Sequence, residues 1–512
     1  MIKKNENLTK QAVEGSFWAG FATFLNRFAS LFFSILFARL LLPENFGLYS
    51  LTMSIAFIFM TFADLGINET LIRFFSLYKN KEKSTAYFQY IFKIKILLSF
   101  LVSLILFLGA YPLSFFIFKK PELFYPLIVA SIFILSSLFV YFFSSFFYAI
   151  KKTKYIGINE IFFQLVRIIL IIFVFILISS EYHVIAIIIA SILTNLFVLL
   201  LLLSWLKKLA PGIFKKSNQV IDKKSLLKFL GYATIAQISG IFFSYIDTLM
   251  LGFFVSFSYL GYYRIAFSLV FGVIGLFTYL SVVLMPFFTR LENKRLKRAF
   301  NKSVRFILIF SIPSAFGILA LGRYFIRLLY GYEYLQAQYP FYVLSFLLIL
   351  WIPTTLLMTL FFSKGKIKEI LKIKVFALVL NVLLNFVLIY SLMSISELWA
   401  VVGASIATLL SWVFIFVSMI IISRKKLNIS LEKIIFVKPI ISGIIMFLSL
   451  YFLNRFLIRD MTLVLGVLEI IVGALIYLIL MYLIKGITRE DMETLKKLPV
   501  FTKIQRFKEL KS

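Results

Sequence analysis

Apolar runs of about 20 residues recur along almost the whole chain, and each is long enough to cross a bilayer as a helix. Fourteen such segments can be drawn between residues 16 and 484. In hydrocarbon no water satisfies the backbone, so each segment must close its own hydrogen bonds, and the helix is the form that does so. The sequence therefore predicts an all-α polytopic membrane protein with 14 transmembrane helices. Composition agrees. Of 512 residues, 62% are hydrophobic and 15% charged, whereas soluble domains hold roughly 45–50% apolar residues. The first apolar run is too long for a signal-peptide core and is expected to be retained.

The net charge of +32, from 54 Lys and Arg against 22 Asp and Glu, does not point to nucleic acid. The cations lie in short stretches between apolar segments, such as "KKTK" and "RLENKRLKRAFNK". One alternating set of loops, with both termini, carries most of them. The opposite set carries only Lys119, Lys120, Arg323, Arg327, Arg455 and Arg459. By the positive-inside rule both termini are expected to be cytoplasmic, in a cell (plasma) membrane. The longest outward loop, about 321–338, carries Tyr324, Tyr330, Tyr332 and Tyr334 and reads as an interfacial helix with an aromatic belt. There is no cysteine and one histidine, His183, in a short loop. Thiolate metal sites, disulfides and histidine metal clusters are thus excluded. No cofactor or metal is implied.

Shifting the sequence by 214 residues lays "FFSILFARLLLPENFGLYS" on "IDTLMLGFFVSFSYLGYYR", with Gly47 on Gly261 and Tyr49 on Tyr263. The same shift carries helix 1 onto helix 7. This predicts two six-helix lobes of like orientation plus an extra C-terminal helix pair, an arrangement that transporters use for alternating access. The expected divisions are a cytoplasmic N-terminus at 1–15, an N-lobe at 16–206 and a basic linker at 207–226. A C-lobe follows at 227–423, two further helices at 424–484 and a basic tail at 485–512.

Charges inside apolar segments are costly, so they mark cavities or partners. Arg27, Asp64 and Arg167 fall near the middles of helices 1, 2 and 5. Asp247 and Arg264 fall at matching depth on helices 7 and 8. Lys93 and Lys95, near the start of helix 3, are expected to snorkel. One reading pairs Arg27 with Asp64 and Asp247 with Arg264. The other is a cationic cavity, because the deep arginines outnumber the deep acids and a guanidinium binds phosphate oxygens in pairs. On that reading Arg27, Arg264 and Arg167 hold substrate, and Asp64 and Asp247 are cavity acids or ion-coupling groups. No nucleotide-binding GxxxxGK[ST] occurs.

"FARLLLPENFGLYS" followed by "DLGINETLIRF" resembles the N-terminal signature of Wzx-type polysaccharide flippases of the MOP exporter superfamily. Arg39, Pro43, Phe46, Gly47 and Tyr49 match its first part, and Gly66 and Arg73 its second. Asp247, Gly261 and Tyr262 look like the start of the second lobe. The resemblance implies movement of a polyprenyl-pyrophosphate-linked oligosaccharide from the cytoplasmic to the outer leaflet by alternating access, driven by an ion gradient. It also implies glycan polymerase or ligase machinery as further partners. It places Arg27 and Arg264 at the pyrophosphate, as on helices 1 and 8 of the related lipid II flippases. Pro43 is expected to stop helix 1, Gly47 to permit the turn, and Arg39 to lock the hairpin. The rival readings are a multidrug or small-molecule exporter of the same superfamily and a membrane enzyme acting on lipid-linked sugars. The arginine surplus and the extra helix pair oppose the first. The short outward loops oppose the second.

Overall fold

The computed structural model describes residues 2–456 and 462–486, apart from 79, 216 and 218. Among the described residues it is almost wholly helical and contains no strand. The helices are α1 (Ile2–Asp64), α2 (Ile67–Leu77), α3 (Lys81–Pro112), α4 (Phe124–Ala149), α5 (Thr153–Leu177) and α6 (His183–Leu209). There follow α7 (Lys223–Phe254), α8 (Phe257–Arg290), α9 (Asn293–Tyr330), α10 (Gln338–Ser345) and α11 (Leu347–Ser363). The chain closes with α12 (Ile367–Met393), α13 (Glu397–Leu427), α14 (Ile434–Phe456) and α15 (Leu463–Leu483).

Among the described residues, 11 helices are long and apolar enough to span a bilayer, or 12 if the bent pair 332–345 and 347–363 is one span. The predicted count of 14 is not reached by this measure. One reason is that the first two predicted segments share a single 60-residue run, Trp18–Leu77. The seventh predicted segment, 227–252, lies within the continuous helix α7.

Helix α1 is kinked at Leu42, whose backbone (φ 61°, ψ 169°) leaves the helical region. The cause is Pro43, which disfavours α geometry in the residue before it and then starts the next helical turn without needing its own N–H. The break is thus made at Leu42. Gly47, which was expected to make the turn, lies within the following helix. A second break separates α1 from α2, where Leu65 (φ 44°) and Gly66 (φ 74°) are left-handed. Glycine suits this conformation, and here a side chain would also run into Ala233 of α7.

The chain forms two compact units. The first comprises residues 1–268 and 378–407. Its core is built largely from phenylalanine at helical spacing. Phe88 and Phe92 of α3 are one turn apart and meet Phe146 and Phe142 of α4, each at 5.3 Å between ring centroids. The second unit comprises residues 269–377 and 408–512. There α9, α14 and α15 enclose a small core of Ile309, Leu321, Met446, Leu450, Tyr477 and Met481. Its extra C-terminal pair is tied by Asn454, which donates to Glu469 at 3.1 Å with both side chains buried. Trp351 and Trp412 lie against each other with centroids 3.6 Å apart.

Much of the predicted 321–338 loop is the end of α9 followed by a short 3-10 turn, Tyr332–Ala337. Tyr330 and Tyr334 are buried rather than placed in a belt. Tyr332 is exposed, with the Arg327 guanidinium 4.3 Å from its ring centroid. His183 begins α6, and its ring nitrogen is 2.9 Å from the Ile178 carbonyl oxygen.

Candidate functional site

Two of the three predicted substrate arginines come together in the first unit. Arg167 lies on α5, where Glu160, Gln164 and Arg167 form one stripe at i, i+4 and i+7. Its guanidinium sits 4.0 Å from the ring centroid of Phe33 and 5.5 Å from that of Phe37, both on α1. Its Nε is buried without a hydrogen-bond partner among the described residues. Arg264, on the first turns of α8, donates to the Thr248 hydroxyl of α7 at 3.4 Å. It lies over Tyr245 at 5.4 Å and Phe267 at 5.3 Å.

Tyr49 connects the two. It follows the α1 kink by two turns, packs against Phe37 at 5.4 Å, and sits beside Arg167 within electrostatic reach of Arg264. Tyr245 stacks on Phe57 at 5.4 Å, and Tyr141 of α4 lies near both Tyr245 and Arg167. Below them the Ser34 and Ser268 hydroxyls are 3.0 Å apart. The result is a pair of cations lined by tyrosine and phenylalanine. Such surroundings suit an anion joined to a sugar, because the guanidinium forks bind phosphate oxygens and aromatic faces accept the C–H surface of a ring.

Arg27, the third predicted arginine, is exposed on α1 seven residues before Ser34. That spacing is two helical turns on the same stripe, about 10 Å along the axis. Glu160 was not singled out from the sequence, yet its Oε1 accepts from Asn26 at 3.1 Å and from Gln164 at 2.5 Å. The polar stripe inside an otherwise apolar segment was the signal that could have revealed it.

The acids are held elsewhere. Asp247 is buried on α7 and accepts from the Tyr263 hydroxyl at 2.5 Å and from Asn385 of α12 at 2.6 Å. The Oδ1 atoms of Asn381 and Asn385 and the Nδ2 of Asn381 are buried with no hydrogen-bond partner among the described residues. Asp64, at the end of α1, pairs with Lys95 at 2.5 Å rather than with Arg27. Lys95 is fully buried, so it does not snorkel, whereas Lys93 is exposed. An unpaired lysine would not be tolerated at such a site, and Asp64 is the reason it can stay.

Arg39 is exposed close to the kink. Arg73 of α2 lies 4.3 Å from the Phe229 ring centroid. A Cβ on Gly261 would fall 2.6 Å from the Pro43 carbonyl oxygen, and one on Gly47 would collide with the Phe257 carbonyl oxygen. Beside this contact Lys120 donates to the Val255 carbonyl at 2.5 Å, with the Phe257 ring 4.7 Å away. Glu397 accepts from the Ser256 N–H and hydroxyl, each at 2.7 Å.

The long apolar helices mark a polytopic membrane protein, and the two arginines lie in an aromatic-lined site within it. The model of the polysaccharide biosynthesis protein family matches residues 12–292, more than half of the chain, and the protein belongs to that family. A probable low-salt glycan biosynthesis flippase, Agl15, of Haloferax volcanii is 25% identical over 216 residues. That match covers 41% of this chain and 44% of the relative. The fold is similar to that of the lipid II flippase MurJ in an inward closed conformation. The TM-score is 0.71 at 16% identity, over 92% of this chain and 98% of that one. An inward-facing MATE multidrug transporter of the MOP superfamily aligns with TM-score 0.65 at 12% identity, over 78% of this chain and 94% of that one.

Proposed function

We propose that the protein is a flippase that carries a polyprenyl-pyrophosphate-linked oligosaccharide from the cytoplasmic to the outer leaflet by alternating access. The observation that carries this reading is the pairing of Arg167 and Arg264 around Tyr49, with a buried Arg167 Nε left to meet a ligand. The phosphate groups would bind the two guanidinium forks. The first sugars would lie on Tyr49, Tyr141 and Tyr245. Arg27, two turns along α1, would meet the headgroup as it enters. The family membership and the name of the Haloferax relative support the glycan class.

On this reading residues 16–206 and 227–423 are the two lobes that move, and 424–484 an added pair. Both termini lie in the cytoplasm, at a plasma membrane, with glycan polymerase or ligase machinery downstream. Asp247, with the unpartnered Asn381 side-chain amide and Asn385 Oδ1 nearby, serves ion coupling. Arg39 steadies the hairpin at Pro43. The multidrug-exporter reading is disfavoured because two arginines at the site would repel an organic cation.

The test is flipping of a fluorescent polyprenyl-pyrophosphate glycan in proteoliposomes, beside Arg167→Ala and Arg264→Ala. Wild type should move the lipid, and both variants should lose most of the rate while remaining folded. Transport of organic cations with no response to the pyrophosphate lipid would overturn the reading.

A further inference from the structure

The polar stripe on α5 carries one acid that the paired arginines leave without a task. Glu160 lies seven residues before Arg167, two helical turns or about 10 Å along the axis. It accepts from Asn26 of α1 at 3.1 Å and from Gln164 at 2.5 Å, both through Oε1. Among the described residues no hydrogen bond reaches its other oxygen, Oε2. Gln164 is buried, and its own Oε1 has no partner among the described residues. A glutamine at 160 would tie α1 to α5 through Asn26 equally well. The strut alone therefore does not explain a carboxylate in an apolar segment, where a charge is costly and faces a cavity or a partner.

Two tyrosines of α4 flank this acid. Tyr141 and Tyr148 are also seven residues apart, so they share one face of their helix. Both are exposed, and both lie within electrostatic reach of Glu160. Tyr141 reaches Arg167 as well. It is accessible yet surrounded by protein, which marks the wall of an internal space rather than a lipid-facing surface. All of these residues belong to the first unit. A row of groups thus runs from the Arg167 guanidinium past Tyr141 to Glu160 and Tyr148. An ionised carboxylate only accepts hydrogen bonds, so the far end of the row suits a ligand rich in hydroxyl donors. The two aromatic faces beside it suit the C–H surface of a sugar ring.

We propose that Glu160 reads the sugar of the transported lipid: its carboxylate accepts from the hydroxyls of an uncharged sugar seated against Tyr141 and Tyr148, and it excludes a uronic acid from that place. The inference rests on the flippase reading and names the class of glycan that the same site would carry. With the phosphates on Arg167 and Arg264, the glycan extends along α5 towards Glu160, and Oε2 is the acceptor left for it. Arg27, Arg167 and Arg264 outnumber the single acid, so the site still holds the phosphates. At its own end of the row, however, Glu160 opposes a second anion, and repulsion of the wrong ligand is how a site gains specificity.

Glucose and glucuronic acid differ only at C6, a hydroxymethyl in one and a carboxylate in the other. The full-length protein in lipid nanodiscs would be titrated with two polyprenyl-pyrophosphate lipids, one bearing each sugar. The wild type should bind the glucose lipid roughly 10- to 100-fold more tightly, the range that hydrogen bonds to a charged group span. Glu160→Gln should bring the two affinities together, chiefly by improving the glucuronate lipid. Equal affinities in the wild type, or a preference that survives Glu160→Gln, would overturn the proposal and leave the flippase reading standing. Weakening of both lipids alike in Glu160→Gln would mark the residue as a strut and overturn it too. Binding of neither lipid by the wild type would overturn the flippase reading and the sugar site with it. If Glu160→Gln does not fold, Tyr148→Ala, at an exposed position, carries the test. It should weaken the glucose lipid several-fold, and an unchanged affinity overturns the proposal.

Discussion

Gly47 lies directly against the Phe257 carbonyl, and its repeat mate Gly261 lies against the Pro43 carbonyl. Pro43 and Phe257 are separated by the same 214 residues as the two glycines. The contact is therefore reciprocal: each hairpin offers a glycine to the residue of the other that corresponds to its own partner. Two-fold related surfaces meet in this way, here within one chain. A side chain at either glycine would separate the hairpins.

Gly47→Ala should weaken this contact more than Gly261→Ala, because its Cβ would be the closer to backbone oxygen. Overpacking of this kind costs typically about 1–3 kcal/mol. Thermal unfolding in detergent should show a lower midpoint for Gly47→Ala than for Gly261→Ala. A cysteine placed near Val255 should become more reactive to a membrane-impermeant maleimide in both. Unchanged midpoint and reactivity would mean that the helices shift at no cost.

The site arginines yield to a graded test. Hydrogen bonds to charged groups contribute about 1.5–3 kcal/mol each, so Arg167→Ala or Arg264→Ala should weaken binding of a pyrophosphate lipid roughly 10- to 100-fold. Lysine at either position should recover only part of that, because it keeps the charge and loses the fork. Scintillation proximity with a labelled lipid measures it. Full recovery by lysine would show that charge alone matters.

The depth of the charged residues was legible in the sequence, but their facing was not. Hydropathy placed Arg167 and Arg264 in apolar segments, and the repeat linked Gly47 to Gly261. A helix has 3.6 residues per turn, so an uncertainty of two residues in a segment's end rotates a side chain to another face. That is why Asp64 was offered Arg27 as a partner when Lys95 was the nearer cation. Glu160 was missed because it sits near the start of α5, where a charge looks like a loop residue. The kink at Leu42 was legible in Pro43 once the residue before proline is considered. The role of Gly47 was not, because its constraint comes from Phe257, more than 200 residues away.

Lys120 should titrate early. Partial burial lowers its pKa to about 8, opposed by the nearby Glu397 and Glu122 carboxylates. An exposed lysine has a pKa of about 10.4. The unfolded chain therefore binds more protons between these values, and this residue's contribution to stability rises as pH climbs through that window. Competitive acetylation followed by mass spectrometry should find Lys120 half-reactive near pH 8, well before the surface lysines. Glu397→Gln removes a group that favours the charged form, so it should move the midpoint lower. A midpoint in the ordinary lysine range would show that Lys120 is more hydrated than its contacts with Val255 and Phe257 imply.

The Asp247 network should tolerate loss of shape less well than loss of charge. Its carboxylate is buried and held by Tyr263 and Asn385. Asp247→Asn keeps the volume and can still accept from Tyr263, so the fold should survive with a modest fall in the unfolding midpoint. Asp247→Ala removes the acceptor of the Tyr263 hydroxyl and leaves the Asn385 amide only the Asn381 carbonyl, at about 1–3 kcal/mol for an unsatisfied group. Its midpoint should fall further. If Asp247 serves ion coupling, Asp247→Asn should also lose any sodium- or proton-dependent acceleration of lipid flipping in proteoliposomes while keeping the gradient-independent rate. A variant that responds to both gradients as the wild type does would make Asp247 a structural acceptor, and its role would end with Tyr263 and Asn385.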